Sequence, residues 1–282
     1  MPSTTDGLTW VVLTMGDRPG QLDAALASLG DDTVVLVGNG TDRLPTVRHG
    51  TTVPLDSNLG VPGGRHAGLR RCHSEVVAFL DDDAVAAPEA SDRIVQAFRR
   101  ASDLAVVSFG VVDEDGRIDP VHVPRPGERG LHRSGEVSYF LGGACAIRRT
   151  AYEEVGGYFT GLVYGHEEVE LSWRLIEAGW RIEYRPDIEV FHPRSTIGRH
   201  ADGWRHTGRN RVLIARRTLP WPVAFVHVIV WLVLGALRAA RESAGRAYLR
   251  GWLSGWRGPV DRAPISWRGV WRLARLGRPP LI

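Results

Sequence analysis

Three adjacent carboxylates, Asp81-Asp82-Asp83, follow directly on the apolar run Val76-Val77-Ala78-Phe79-Leu80. A short apolar run ended by polar residues reads as a buried strand. The acids then stand at the carboxyl end of that strand, the edge along which open α/β sheets bind ligands. Adjacent acids repel unless a cation or hydrogen-bond donors compensate them. Hard divalent cations such as magnesium or manganese take oxygen ligands and bridge to substrate phosphates. The chemistry on offer is therefore a metal–diphosphate site. An acidic turn before the helix opened by Pro88-Glu89 would put the same residues there for a different reason, because acids are ordinary at helix N-termini. The triplet alone leaves both readings open.

A second acidic cluster is His166-Glu167-Glu168-Val169-Glu170. A carboxylate set over an apolar pocket can act as a general base. Glutamates in a first helical turn are also stabilised by the helix dipole, and Glu170 with Arg174 makes an i,i+4 pair. His192 closes a strand after Phe191; it bears on a metal only if the fold brings it near Asp83, since imidazole joins carboxylates on manganese-like ions. The stretch Asn58-Leu59-Gly60-Val61-Pro62-Gly63-Gly64 would let backbone amides approach a phosphate. It is not a dinucleotide fingerprint, and it does not follow the first strand.

The elements that must position these groups alternate. Thr9 to Thr14, Thr33 to Val37, a short stretch at Val53-Pro54-Leu55, Val76 to Leu80 and Leu104 to Phe109 read as strands. Helices are expected from Pro19 to Leu29, from Arg65 to about Cys72, around Glu89 to Arg100 and from Glu167 to Ala178, with Gly179 as the stop. Ile182–Tyr184 and Glu189–Phe191 read as two short strands, the second ended by His192-Pro193. Alternation of this kind predicts an α/β fold with a mainly parallel sheet. Residues 113–136 read as a long functional loop.

Beyond Arg199 the character changes. Residues 199–282 hold sixteen arginines against Asp202, Glu242 and Asp261, a net charge of +13. The whole chain carries +3, so residues 1–198 carry −10. Lysine is absent throughout, and seven of the ten tryptophans lie in the tail. Residues 223–237 are 15 positions without a formal charge, counting His227 as neutral. Spanning a bilayer takes roughly 20 apolar residues. Apolar run, tryptophan and arginine together suit a helix lying in the membrane interface. An internal helical hairpin would use the same residues. Arginines interleaved with aromatics also suit single-stranded nucleic acid, but the uncharged run favours a membrane, and no nucleic-acid partner is expected. Two cysteines, Cys72 and Cys145, make no disulfide framework and point to a reducing compartment. No basic region followed by an apolar core opens the chain, so no secretion signal is expected.

In order and spacing, these pieces resemble the family-2 glycosyltransferases. The motifs are Val-Leu-Thr-x-x-x-Arg-Pro (12–19), Gly38-Asn39-Gly40-Thr41, Asn58-x-Gly60, Phe79-Leu80-Asp81-Asp82-Asp83, Leu141-Gly142-Gly143 and Gly156-Gly157-Tyr158. They continue with His166-Glu167-Glu168-Val169-Glu170-Leu171-Ser172-Trp173-Arg174, Phe191-His192-Pro193 and Arg209-Asn210. The likeness runs from Thr9 to about Leu219.

The resemblance implies a GT-A-like nucleotide-sugar-binding domain over 1–219, followed by a basic Trp/Arg-rich helical extension over 220–282 that associates with a membrane. It implies inverting transfer of a sugar from a nucleotide diphosphate donor to an acceptor hydroxyl, dependent on Mn2+ or Mg2+. Asp81 would contact the ribose, and Asp83 with His192 would bind the metal. Glu168, paired with Glu167, would be the base. Thr14, Arg18, Asn39, Asn58, Gly60, Arg65 and Asp82 would line the donor site, with Gly142 and Gly143 beside donor sugar and acceptor. The acceptor would be lipid-linked or membrane-proximal, and the chain would sit in the cytoplasm on the inner face of an anionic membrane. Three departures stand out: Gly38 where the family often has Asp facing the base, His66 where Asn is common, and Glu168 where Asp is usual. A non-catalytic nucleotide-sugar or lipid binder would keep the fold, but Asp81, Asp83, Glu168 and His192 are all in place.

Overall fold

Valine-, leucine- and phenylalanine-rich runs form the centre of a nine-stranded sheet, seen in a computed structural model that describes residues 7–124, 130–193 and 202–281. The strands are β1 (Leu8–Thr14), β2 (Val34–Asn39), β3 (Gly50–Leu55), β4 (Val76–Asp81), β5 (Val85–Ala86), β6 (Leu104–Val112), β7 (Gly135–Glu136), β8 (Ala144–Arg148) and β9 (Arg181–Phe191). Their order is β3-β2-β1-β4-β8-β6-β9-β5, with β7 paired to β9. The β3-β2-β1-β4 half is parallel, as is β6 with β9. β8 runs antiparallel between β4 and β6. β2 and β8 are buried along their whole length, and β1, β4 and β6 all but one residue each. Strands covered on both faces read in this way as unbroken apolar runs. β3, which carries Pro54, is the exposed edge where a missing N–H is tolerated.

Nine helices surround the sheet among the described residues: α1 (Pro19–Ser28), α2 (Gly60–Leu69), α3 (Ala90–Arg100), α4 (Arg149–Glu154), α5 (Glu167–Glu177), α6 (Gly203–Thr218), α7 (Trp221–Arg241), α8 (Gly245–Arg257) and α9 (Trp267–Arg275). α2 begins five residues earlier than expected from its glycines. Gly64 lies against Leu13, and Gly68 against Val11 and Val37, so closely that a Cβ on either would overlap them. Close packing on β1 and β2 thus outweighs the low helix propensity of glycine. β9 is one strand where two were expected. Its register with β6 shifts between Phe109 and Gly110, opposite Pro186, which cannot donate to the ladder.

The long segment 113–136 holds a 3-10 turn (Pro120–His122) and then β7. Residues 125–129 of that loop lie outside the described residues. The C-terminal helices share the core under the sheet: Val212, Leu213, Val223, Val228, Ile265 and Leu273 belong to one buried cluster with Val11, Phe79, Cys145 and Ile147. α6 and α8 meet through Gly208, Gly251 and Gly255, where a Cβ would strike the facing helix.

Candidate active site

The carboxyl ends of β1 and β4, the loop before β8, the start of α5 and the end of β9 converge on an open cavity of about 840 Å³. β4 delivers Asp81 at its last position, and the chain turns at once, Ala84 N–H donating to the Asp81 carbonyl at 3.0 Å. This turn splits the acidic triplet into three roles. Asp82 points to β1 and accepts a 2.6 Å hydrogen bond from Thr14 Oγ1. Burial first, and the neighbouring Asp83 and Asp81 charges after it, push the Asp82 carboxyl up to about 6, against the pull of Thr14.

Asp83 pairs with Arg18 through one oxygen, while its other oxygen lies 3.3 Å from His192 Nε2. Burial raises the Asp83 pKa, but His192 and Arg18 more than offset this and hold it below the usual range. His192 Nδ1 faces the Pro193 carbonyl at 2.8 Å, which turns Nε2 toward the carboxylate. Burial disfavours the charged ring, yet the bond to Asp83 and the charges of Asp83 and Asp81 lift His192 to about 9. Ligand atoms of Asp81, Asp83 and His192 all lie within 4.8 Å of one another. Two carboxylates and an imidazole at that spacing can hold a divalent cation.

Arg65, 5% exposed, ties this corner to the second acidic cluster. Its Nη2 is 3.1 Å from Asp81 Oδ1, and its Nη1 is 3.1 Å from Glu168 Oε1 and 3.8 Å from Glu167 Oε1. Burial opposes its charge, but Asp81, Glu168 and Glu167 raise its pKa beyond the ordinary arginine value. Glu168 keeps 18% of its side chain exposed and lines the cavity; Glu167 is sealed, with 3%. Burial first, then the Glu168 charge, push Glu167 up to about 8. His166, at φ 73° in the left-handed region, makes the turn that aims both glutamates inward.

Gly142 and Gly143 form the opposite wall. A Cβ at Gly142 would overlap the Arg65 guanidinium and the Glu168 carboxylate; one at Gly143 would overlap Asp81. Asn39 donates to Asn58 Oδ1 at 3.0 Å and to the Gly60 carbonyl at 3.1 Å, shaping the rim where α2 begins. The structure thus brings Thr14, Asn39, Asn58, Gly60, Arg65, Asp81, Asp82, Asp83, Gly142, Gly143, Glu167, Glu168 and His192 to one cavity, with Arg18 behind Asp83. It also adds Met15, His122, Val163, Tyr164 and His206 to the lining. His122 comes from the long loop, its ring centroid 5.8 Å from that of His192. Met15, inside the 12–19 motif, and Tyr164, two residues before His166, are additions that adjacency to a motif could have flagged.

The chain is similar to known glycosyltransferases. Residues 30–156, a little under half of the chain, match the family model for Glycosyl transferase family 2. Over 241 residues the chain is 27% identical to the pre-mycofactocin glycosyltransferase of Mycobacterium tuberculosis, covering 76% of this chain and 50% of that one. The chain therefore spans about half the length of that relative. Among solved structures, the mannosyltransferase from Pyrobaculum calidifontis in complex with GDP-Man and Mn2+ superposes with a TM-score of 0.57 at 17% identity, over 95% of this chain and 79% of that one. GalNAc-T7 with UDP, GalNAc and Mn2+ gives 0.57 at 17% identity, over 73% of this chain and 47% of that one. The likeness to family-2 glycosyltransferases and the GT-A fold read from the motifs are both borne out.

Proposed function

We propose that this chain is a glycosyltransferase that moves a sugar from a nucleotide diphosphate donor to an acceptor hydroxyl with inversion, dependent on a divalent metal. One observation carries the reading: a single arginine, Arg65, joins a cation-competent corner (Asp81, Asp83, His192) to a solvent-open carboxylate (Glu168) in the same cavity. Structural neighbours whose solved complexes hold GDP-Man or UDP together with Mn2+ support it.

The donor set fits manganese or magnesium, which when bound would supply positive charge for the departing diphosphate. Asp81, Asp83 and His192 would hold the ion. Arg18, already paired with Asp83, is placed to turn toward a diphosphate oxygen. The bare Cα faces of Gly142 and Gly143 let Arg65, Glu168 and Asp81 press against the wall beside which the sugar would lie. Glu168 would take the proton of the acceptor hydroxyl as that hydroxyl attacks the anomeric carbon from the face opposite the diphosphate. Arg65 would hold that base at a set distance from Asp81, so that donor and acceptor meet in register. Glu167, nearly buried in the same cavity wall, would support that base, its Oε1 3.8 Å from Arg65 Nη1.

The tail supports a peripheral membrane location. α7 is long and apolar enough to cross a membrane, with a mean hydropathy of 2.1, but 39% of its apolar window is buried in the protein. Its buried side is Val223, His227, Val228, Trp231 and Gly235. Its other side shows Trp221, Phe225, Ile229, Val233 and Leu237, spaced four apart and 45–65% exposed. An exposed apolar stripe opposite a buried side suits lying in an interface rather than crossing it. Arg238, Arg241, Arg246 and Arg250 follow and favour an anionic surface on the cytoplasmic side, with a lipid-linked or membrane-proximal acceptor. Screening the purified chain against a panel of nucleotide sugars, with manganese and with chelator, tests the catalytic reading. Turnover of no donor in manganese would contradict it.

A further inference from the structure

Behind the start of α5, where α6, α7 and the last residues of the chain meet, lies a cluster of cations that the sugar-transfer reading does not use. The Arg211 guanidinium stacks on the Trp231 ring at 3.5 Å, and Arg238 approaches the same ring at 5.3 Å. Arg278 lies over Tyr139 at 4.5 Å. His227 Nδ1 bonds the Pro280 carbonyl at 2.7 Å, which fastens the segment after Arg278 to α7. Among the described residues no carboxylate pairs with Arg211, Arg238 or Arg278.

Four nitrogen atoms around this point are closed to solvent and lack a hydrogen-bond partner among the described residues: Arg211 Nε, Trp231 Nε1, His227 Nε2 and His166 Nδ1. His227 is 1% exposed and Trp231 8%. Buried polar atoms of native proteins are normally satisfied, and each exception asks for an unseen water or ion. Burial, with Arg238 and Arg278 adding to it, pulls the Arg211 pKa down to about 9. Water can fill the hydrogen bonds, but it cannot offset the like charges of Arg211 and Arg238 on the Trp231 face, to which Arg278 adds from over Tyr139. An anion accepts from the Arg211 and Trp231 N–H groups and offsets the charge as well, and arginine forks match phosphate oxygens in geometry.

We propose that Arg211, Arg238 and Arg278, with Trp231, form a binding site for a phosphate group. This goes beyond the sugar-transfer reading and stands independently of it. Two sources carry that chemistry: a phospholipid headgroup reached from the membrane side of the helical layer, or a soluble phosphate-bearing molecule.

The test uses the full-length chain in chelator, so that the acidic corner of the large cavity takes no part. Orthophosphate is titrated against chloride at equal ionic strength, with Tm as the readout. Flotation then compares phosphatidylcholine vesicles with and without phosphatidic acid. The double variant R238A/R278A removes two exposed arginines; R246A/R250A removes the same charge from α8 and serves as control. Arg211→Gln is a third arm, secondary because its buried position bears on folding.

Phosphate is expected to raise Tm in the wild type, in the R246A/R250A control and in Asp83→Ala. In R238A/R278A the apparent affinity should fall by about tenfold or more. That result supports the site with a soluble source. Vesicle binding that needs phosphatidic acid, is lost in R238A/R278A and is only weakened in R246A/R250A, whose arginines add general attraction to an anionic surface, supports it with a headgroup source. If R238A/R278A and R246A/R250A behave alike in both arms, the site does not exist.

Discussion

Asp81 and Glu168, 87 residues apart in sequence, are separated by one guanidinium: Arg65 lies 3.1 Å from each. The cation-competent corner and the open carboxylate are therefore one electrostatic unit. Breaking a buried pair by removing one partner strands the other's charge and typically costs about 3–5 kcal/mol. Arg65→Met should lower stability by that order and abolish transfer. Arg65→Lys keeps the charge but not the fork, so it should retain more stability than activity. Denaturant unfolding and initial rates of both variants check this; a fully active Arg65→Met would break the link between corner and base.

Removing Asp83 should separate chemistry from folding. Asp83→Ala is expected to lose transfer and manganese-dependent diphosphate binding while the fold persists, because Asp83 sits on a turn and not in the core. Chelator should do the same to the wild type. Isothermal titration with UDP and GDP, with and without manganese, reads the binding part.

Glu167 gives a pH signature. Its folded pKa, about 8, lies above its ordinary value of 4.5. The folded state then holds a proton that the unfolded chain has released. The stability Glu167 contributes is fully present below about 4.5 and is lost as pH rises through about 8. Between those limits Tm should fall more steeply for wild type than for Glu167→Gln, which has no proton to lose. Parallel Tm curves across that window would mean that Glu167 is already ionised in the folded protein.

The α7 stripe should matter to membranes and not to folding. Phe225 and Val233 are 65% and 53% exposed. A Phe225→Gln/Val233→Gln variant should keep its Tm within a degree or two, since surface changes are usually within about 0.5 kcal/mol. Flotation with anionic liposomes at high salt, where only apolar insertion remains, should drop sharply. Unchanged flotation would place the contact elsewhere.

Much of this was legible in the sequence for a physical reason. β4 is an apolar run ended by charge, and the residues after it must lie at a sheet edge; the same logic exposed His192 after Phe191. What the sequence hid depends on packing. α2 was shortened by its own glycines, whose absent side chains are what lets the helix sit on Val11 and Leu13. Ile182–Tyr184 and Glu189–Phe191 read as two strands, yet β9 runs through Pro186 between them, with a register shift against β6 at Gly110. Arg65 was grouped with the donor contacts, but nothing in its neighbours along the chain announces three carboxylates brought from β4 and α5. His122 reaches the cavity from a segment without any motif.

The most direct test compares wild type with Glu168→Gln on one accepted donor, measuring both the rate of sugar transfer in manganese and the donor dissociation constant. The account predicts a rate lower by roughly 10²–10⁴-fold, the usual loss for a general base, with donor binding nearly unchanged because Glu168 acts on the acceptor. Transfer near the wild-type rate by Glu168→Gln, with Glu167→Gln inactive, would contradict it.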